Sequence, residues 1–254
     1  MNRLAGLGRC VFAATLIALG VWGLIHGDFA PIWTPVPSHW PLREALAYAC
    51  AVVALAGGAG LIWRRTAALA GGLLALWLAA WMLAIKVPAI VGAPLMAAAW
   101  ESCGETATIV AAAWMLFASA ATPQGPLAAV AGPRGQRLAR WLYGAALLAF
   151  GAAHLAYVKE TASLVPAWLP DPVVWVWITG LAYIAAGGAM LSGIGAQLAG
   201  VLAALQVGAF TLLIWAPAIA APGAGADVWS EAAISWTLTA SAWVIAERLR
   251  RRPA

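Results

Sequence analysis

Residues 151–172, GAAHLAYVKETASLVPAWLPDP, form the stretch that decides how this chain folds. The stretch begins inside an apolar run, carries His154 where that run ends, crosses a charged and proline-rich corner, VPAWLP, and enters another apolar run at Val173. A weaker copy, GLIHGDFAPIWTPVPSHWP, spans residues 23–41. Because proline restricts the backbone and interrupts regular helices, each copy predicts a corner between two helices.

The composition on either side of these corners is that of a membrane protein. Of the 254 residues, 64% are hydrophobic and 9% are charged, and the mean hydropathy is +0.89. A soluble domain has about 45–50% apolar and about 25% charged residues, and its outer shell must be wetted. The composition therefore excludes a soluble globular domain. It predicts an all-α, polytopic membrane protein whose main partner is the lipid bilayer.

The apolar runs provide eight predicted transmembrane helices, since a helical span needs about 20 mostly apolar residues. These helices cover residues 10–26, 42–63, 66–85, 94–121, 137–157, 173–191, 196–216 and 228–247. Lys86 and Pro88 are predicted to stop the third helix, and Pro217 the seventh. Residues 89–99 are either a loop or the start of the fourth helix. The N-terminal run lacks a small-x-small cleavage site, so we expect it to be retained as the first helix.

The positive charges predict the orientation of these helices. One set of alternate helix ends carries Arg3, Arg9, Arg64, Arg65, Arg134, Arg137, Arg140, Arg248, Arg250, Arg251 and Arg252, and the other set carries Arg43, Lys86 and Lys159. By the positive-inside rule, both termini are cytoplasmic in a multi-pass protein of the inner (plasma) membrane. The pI near 9.6 follows from this topology and requires no nucleic-acid partner.

The two halves of the chain repeat. A shift of 129 residues aligns residues 66–90 with residues 195–219, and 13 of these 25 positions are identical. Four spans per copy give both copies one orientation, as in parallel repeats related by an axis along the membrane normal. We expect two parallel four-helix bundles side by side, at residues 1–122 and 137–254. A cytoplasmic linker, residues 123–136, joins them, and a basic tail ends the second.

The corner motif of the second half resembles that of the DoxX-like membrane protein family. The shared features are GxxH at the end of a first helix (Gly151 and His154), the VPxWLP corner, and a second helix with glycines at positions 180, 187 and 188. The resemblance covers residues 137–247. The first half departs from it, with VPSHWP at the corner and Asp28 soon after its histidine. The resemblance implies a tandem of four-helix units associated with quinone-linked oxidoreductase systems. The sequence contains no evident cofactor motif; a quinone could be the cofactor of such a system, and a redox or periplasmic protein could be its partner.

The candidate functional residues are His26, His154, Glu101, Glu105 and Glu231. Ionisable groups inside a membrane are costly and mark functional sites. At about 1.5 Å per residue from the cytoplasmic ends, the two histidines, Glu105 and Glu231 lie about 21–25 Å up a core about 30 Å thick. Glu101 and Glu105 share a helix face. This layer predicts an outward-opening polar pocket. Its His/Glu pairs could exchange protons or hydrogen-bond a quinone head group, because histidine titrates near neutral pH.

Structural explanations compete with this functional one. A histidine and a glutamate on adjacent helices can simply bond each other and pin the bundle, since interhelical polar contacts hold membrane helices together. A metal site built from the two histidines and two or three carboxylates is the least favoured alternative, because no HxxH or ExxH spacing concentrates ligands on one helix. The interfacial aromatic belt is predicted to account for Trp33, Trp40, Trp168, Trp175, Trp177 and Trp229.

Three functional hypotheses follow from these patterns. No soluble-enzyme motif such as GxGxxG, a P-loop, CxxCH, HExxH or GxSxG is present, so the sequence contains no direct indication of catalysis. The leading hypothesis is a membrane subunit or accessory of a quinone-linked redox system. The alternatives are a small-solute transporter or permease, indicated by the parallel repeat and the polar pocket, and a membrane scaffold with no catalysis of its own.

Overall fold

The computed structural model describes residues 6–250, and this part of the chain is helical with no β-strand. Its long helices are α1 (Leu7–His26), α2 (Arg43–Ile62), α3 (Ala67–Gly92), α4 (Ala97–Ala120), α5 (Gly132–Ala156), α6 (Pro172–Ser192), α7 (Ala196–Ala220) and α8 (Ala226–Arg250). Three arginines used to predict the orientation, Arg3, Arg251 and Arg252, lie outside the described residues.

Seven of these helices, α1 to α7, are long and apolar enough to cross a membrane. The eighth, α8, has 25 residues but is more polar, because it carries acidic side chains such as Glu231 and several hydroxyl groups. Large apolar side chains such as Leu76 and Leu205 point away from the protein, with more than 60% of each exposed, as expected of a surface that faces lipid. The prediction of an all-helical, multi-pass membrane protein is confirmed.

The helices pack in chain order and close into a ring. Each helix contacts the next, from α1 to α8, and α8 returns to α1. A further contact between α4 and α8 crosses the centre of the ring, and α4 is the most buried of the seven apolar helices. The predicted linker between α4 and α5 contains a short 3-10 helix, Gly125–Ala129, and α5 begins before the linker was expected to end.

The predicted helix ends at Lys86, Pro88 and Pro217 are wrong, because both helices continue past these residues. Each widens into one π-helical turn, at Met82–Lys86 in α3 and Thr211–Trp215 in α7, and then resumes as an α-helix. A proline ring clashes with the carbonyl four residues earlier and removes one helical hydrogen bond. A π-turn relieves that clash by widening the helix locally, so each helix continues past its proline.

The same backbone irregularities occur in both halves. The π-turns begin at Met82 and Thr211, which are 129 residues apart. Leu42 and Asp171, also 129 residues apart, precede α2 and α6 with positive φ angles of 56° and 51°. Among the described residues, they are the only ones other than glycine with positive φ. The repeat of 129 residues found in the sequence is therefore also present in the backbone geometry.

Candidate ligand-binding cavity

A cavity of about 1030 Å³ lies between α4, α5, α6, α7 and α8, next to the corner that follows α5. Small-molecule sites commonly have volumes of about 300–1,000 Å³, apolar walls and a few convergent polar groups. Aromatic side chains form much of this wall: Phe150, Tyr157, Trp168, Trp175, Tyr183, Phe210 and Trp215. Four of the five predicted site residues also line it: Glu101, Glu105, His154 and Glu231.

The carboxylates of the cavity come from two helices. Glu101 and Glu105 are half-buried and stand one turn apart on α4, and Glu231 is exposed on α8. Among the described residues, no group forms a hydrogen bond with these three carboxylates, and no cationic nitrogen lies within 4.0 Å of them. They are therefore available to a bound molecule.

His154 is held in a defined orientation at the end of α5. Its Nδ1 donates to the Phe150 carbonyl at 2.9 Å. Because a carbonyl oxygen only accepts, Nδ1 carries a proton and Nε2 is the atom that can bond a ligand. The ring stacks on Phe210 at 5.9 Å and meets the edge of Tyr183 at 5.3 Å between centroids. These contacts fix the orientation of the His154 ring in the cavity wall.

His26 does not reach this cavity. It is exposed, its Nδ1 donates to the Trp22 carbonyl at 2.8 Å, and its ring stacks on Trp22 at 4.3 Å between centroids. Neither His26 nor His154 hydrogen-bonds a glutamate within residues 6–250. The His/Glu pinning considered from the sequence is therefore not the arrangement observed.

In the first half, a cluster of aromatic rings fills the place that corresponds to the cavity. Trp81 contacts Phe29, Trp33 and Trp40 at centroid distances of 5.4, 5.6 and 6.3 Å, and its indole N–H donates to the Trp33 carbonyl at 3.1 Å. Trp81 lies 129 residues before Phe210, the residue that stacks on His154. The assignment of Trp33 to the interfacial belt is wrong, because only 1% of it is exposed.

Lys86, which was predicted to stop the third helix, is a buried polar residue of this region. It is 2% exposed, and its Nζ donates to the Ser102 hydroxyl at 2.8 Å and to the Thr34 carbonyl. Ser102 and Thr34 both line the cavity. The signal that could have identified Lys86 is a charged residue inside an apolar run, the same signal that identified the glutamates.

Gln206 and Thr211 are further polar residues around the cavity, and neither was predicted. Gln206 Nε2 donates to the Thr179 carbonyl at 3.0 Å and bridges α7 to α6. Where the π-turn of α7 begins, the Thr211 hydroxyl meets the hydroxyls of Ser235 at 2.8 Å and Thr239 at 2.9 Å on α8. These bonds join the helices around the cavity and leave its acidic groups unpaired.

Within residues 6–250, no cluster of three or more His, Cys, Asp or Glu side chains is arranged to hold a metal ion. The cavity presents one histidine and several carboxylates among aromatic walls. Comparison of the chain with protein-family models, with curated proteins and with solved structures finds no match.

Proposed function

We propose that this protein is a DoxX-like membrane protein that binds the head group of a membrane quinone and serves a quinone-linked redox system as a subunit or accessory. The observation that carries the proposal is the cavity beside His154, with polar groups among aromatic walls. Quinone oxygens accept hydrogen bonds and quinol hydroxyls donate them. An imidazole and carboxyl groups can serve both forms, and the apolar walls suit the ring and its tail.

The proposed topology has eight spans, two parallel repeats and both termini on the cytoplasmic side of the inner membrane. The polarity of α8 does not argue against a span, because its hydroxyls bond carbonyls of the same helix. Thr237 donates to the Ala233 carbonyl at 2.7 Å and Ser241 to the Thr237 carbonyl at 2.8 Å, and both residues are fully buried. In this proposal the halves interlock, since the first helix of each packs against the last helix of the other.

Quinone binding to the purified protein in lipid nanodiscs tests the proposal. Quinones quench tryptophan fluorescence, and Trp168, Trp175 and Trp215 line the cavity. We expect saturable quenching by decylubiquinone in the wild type. His154→Ala should weaken it about tenfold, because it removes a hydrogen-bonding group and an ordered ring contact.

His26→Ala is the matched control, since His26 has the equivalent sequence position and makes the same bond to its own helix, but lies outside the cavity. Its quenching curve should equal that of the wild type. The proposal would be contradicted if His154→Ala and His26→Ala weakened quinone binding equally, or if the wild type showed no saturable quenching. The redox role is then tested by the quinone-dependent oxidoreductase activity of membranes that contain each variant. If His154→Ala leaves this activity unchanged, the redox role is contradicted and only the ligand-binding part of the proposal stands.

A second candidate function is a permease for small organic cations. The observation in its favour is the charge of the cavity: Glu101, Glu105, Glu160 and Glu231 line it, and none of its described lining residues is lysine or arginine. Aromatic rings beside carboxylates bind organic cations. Uptake of a labelled organic cation into proteoliposomes, compared with empty vesicles, distinguishes this function. If the protein neither binds a quinone nor transports an organic cation, the membrane scaffold is the remaining hypothesis.

A further inference from the structure

Lys86 brings a positive charge from the first half to the wall of a cavity built mostly by the second half. Its Nζ is bonded to the Ser102 hydroxyl, at 2.8 Å, and to the Thr34 carbonyl. Both partners line the cavity. The ammonium group therefore lies directly behind the wall, and only 2% of the residue is exposed.

The position of Lys86 places it against the carboxylates of α4. Ser102, its hydrogen-bond partner, follows Glu101 directly and stands one helical turn before Glu105. Interactions between charges are far stronger in buried surroundings than in water. The ammonium group thus offsets part of the negative charge that the glutamates direct into the cavity.

The fold itself does not require a lysine at this position. Lys86 ends the π-turn of α3, and the residue that ends the equivalent π-turn of α7 is Trp215. Trp215 lies in the cavity wall. The same backbone therefore accepts an uncharged side chain, and the cost of burying an ammonium group has to be explained by what the charge does.

We propose that Lys86 is a positioning residue that sets the charge selectivity of the cavity. It holds Ser102 and the Thr34 carbonyl in the wall, and its charge lets a neutral head group such as a quinone compete with an organic cation for the carboxylates. This inference rests on the proposed ligand binding, and it makes the site a joint product of both halves of the chain.

The test compares two ligands with the same apolar chain, neutral decylubiquinone and cationic decyltrimethylammonium, in nanodiscs. Tryptophan quenching measures the affinity for decylubiquinone, and displacement of the bound quinone measures the affinity for decyltrimethylammonium. Lys86→Met should change the ratio of the two affinities about tenfold in favour of the cation, the size expected for one partly screened charge. Lys86→Arg should keep the wild-type ratio. Lys159→Met is the matched control, because it removes an exposed lysine from the corner that follows α5, and it should also keep the wild-type ratio of affinities.

A purely structural role for Lys86 predicts that Lys86→Met weakens both ligands equally and leaves the ratio unchanged, and that result overturns the inference. Glu105→Gln should shift the ratio in the opposite direction, and the double variant should return towards the wild type. If Lys86→Met does not remain monodisperse, Lys86→Gln keeps a donor without the charge and provides the same readout. If the wild type binds neither decylubiquinone nor decyltrimethylammonium, that result contradicts the proposed function and not the inference about Lys86.

Discussion

Glu247, near the end of α8, holds the start of α1. Its Oε1 accepts from the Gly6 N–H at 2.6 Å and its Oε2 from the Gly8 N–H at 2.9 Å. The first N–H groups of a helix have no partner within it, and a carboxylate there satisfies them and complements the helix dipole. Glu247 therefore joins the end of α8 to the start of α1.

We expect Glu247→Ala to reduce the free energy of unfolding by about 1–2 kcal/mol, the usual effect of losing a charged N-terminal cap. Glu247→Gln, which keeps an acceptor, should lose less. The measurement is the thermal midpoint in detergent. Glu44→Ala is the comparison, because Glu44 is exposed in the first turn of α2, where it faces a helix dipole but caps no N–H group. Equal midpoints for Glu247→Ala and Glu44→Ala would show that the two hydrogen bonds of Glu247 add nothing to its interaction with the helix dipole.

At the scale of elements, the corners before α2 and α6 share an unusual backbone. Leu42 and Asp171 both take a left-handed conformation. For a residue with a Cβ atom this conformation costs about 1–2 kcal/mol, and asparagine and aspartate tolerate it best. The second half has the more favourable residue. Leu42 is 78% exposed, so its side chain contributes little burial in return.

Leu42→Asn should therefore stabilise the protein, by up to about 1 kcal/mol. The measurement is again the thermal midpoint in detergent, and we expect it to rise. Leu95→Asn serves as the control for replacing an exposed leucine, because Leu95 is 99% exposed and has no positive φ. A midpoint that falls for Leu42→Asn but not for Leu95→Asn would mean that the leucine side chain, through packing or lipid contact, outweighs the backbone strain.

At the scale of the whole molecule, the two halves share a backbone but differ in what they enclose. The first half fills its interior with the aromatic rings around Trp81, and the second leaves the cavity beside Phe210. α4 connects them, because it belongs to the first half and supplies Glu101 and Glu105 to the second. The interiors of the two halves therefore differ, although the sequence repeats.

The proposed topology of eight spans predicts that both termini lie on the cytoplasmic side of the membrane. A green fluorescent protein fused after residue 254 should fluoresce, and alkaline phosphatase at the same point should be inactive. As the control, alkaline phosphatase inserted at Gly223, in the loop between α7 and α8, should be active. Phosphatase activity at the C-terminus would show that α8 does not cross, and that the seven apolar helices are the only spans.

The spans were predictable because their physical cause is local. Backbone groups in hydrocarbon must bond within their own helix, so each apolar run indicates a helix almost residue by residue. The span predicted at 173–191 is the helix Pro172–Ser192. The failures at Pro88 and Pro217 came from treating proline as a helix end, whereas the π-turns accommodate it.

By itself the sequence determined the helices and the repeat and predicted a common depth for the ionisable groups, since each of these follows from composition or from counting along the chain. Only the tertiary structure decided which of these groups meet. Depth does not indicate which helices are neighbours, and α4 packs against α5 rather than α1. For that reason Glu101 and Glu105 line a cavity with His154, His26 stands outside it, and Lys86 lies behind its wall.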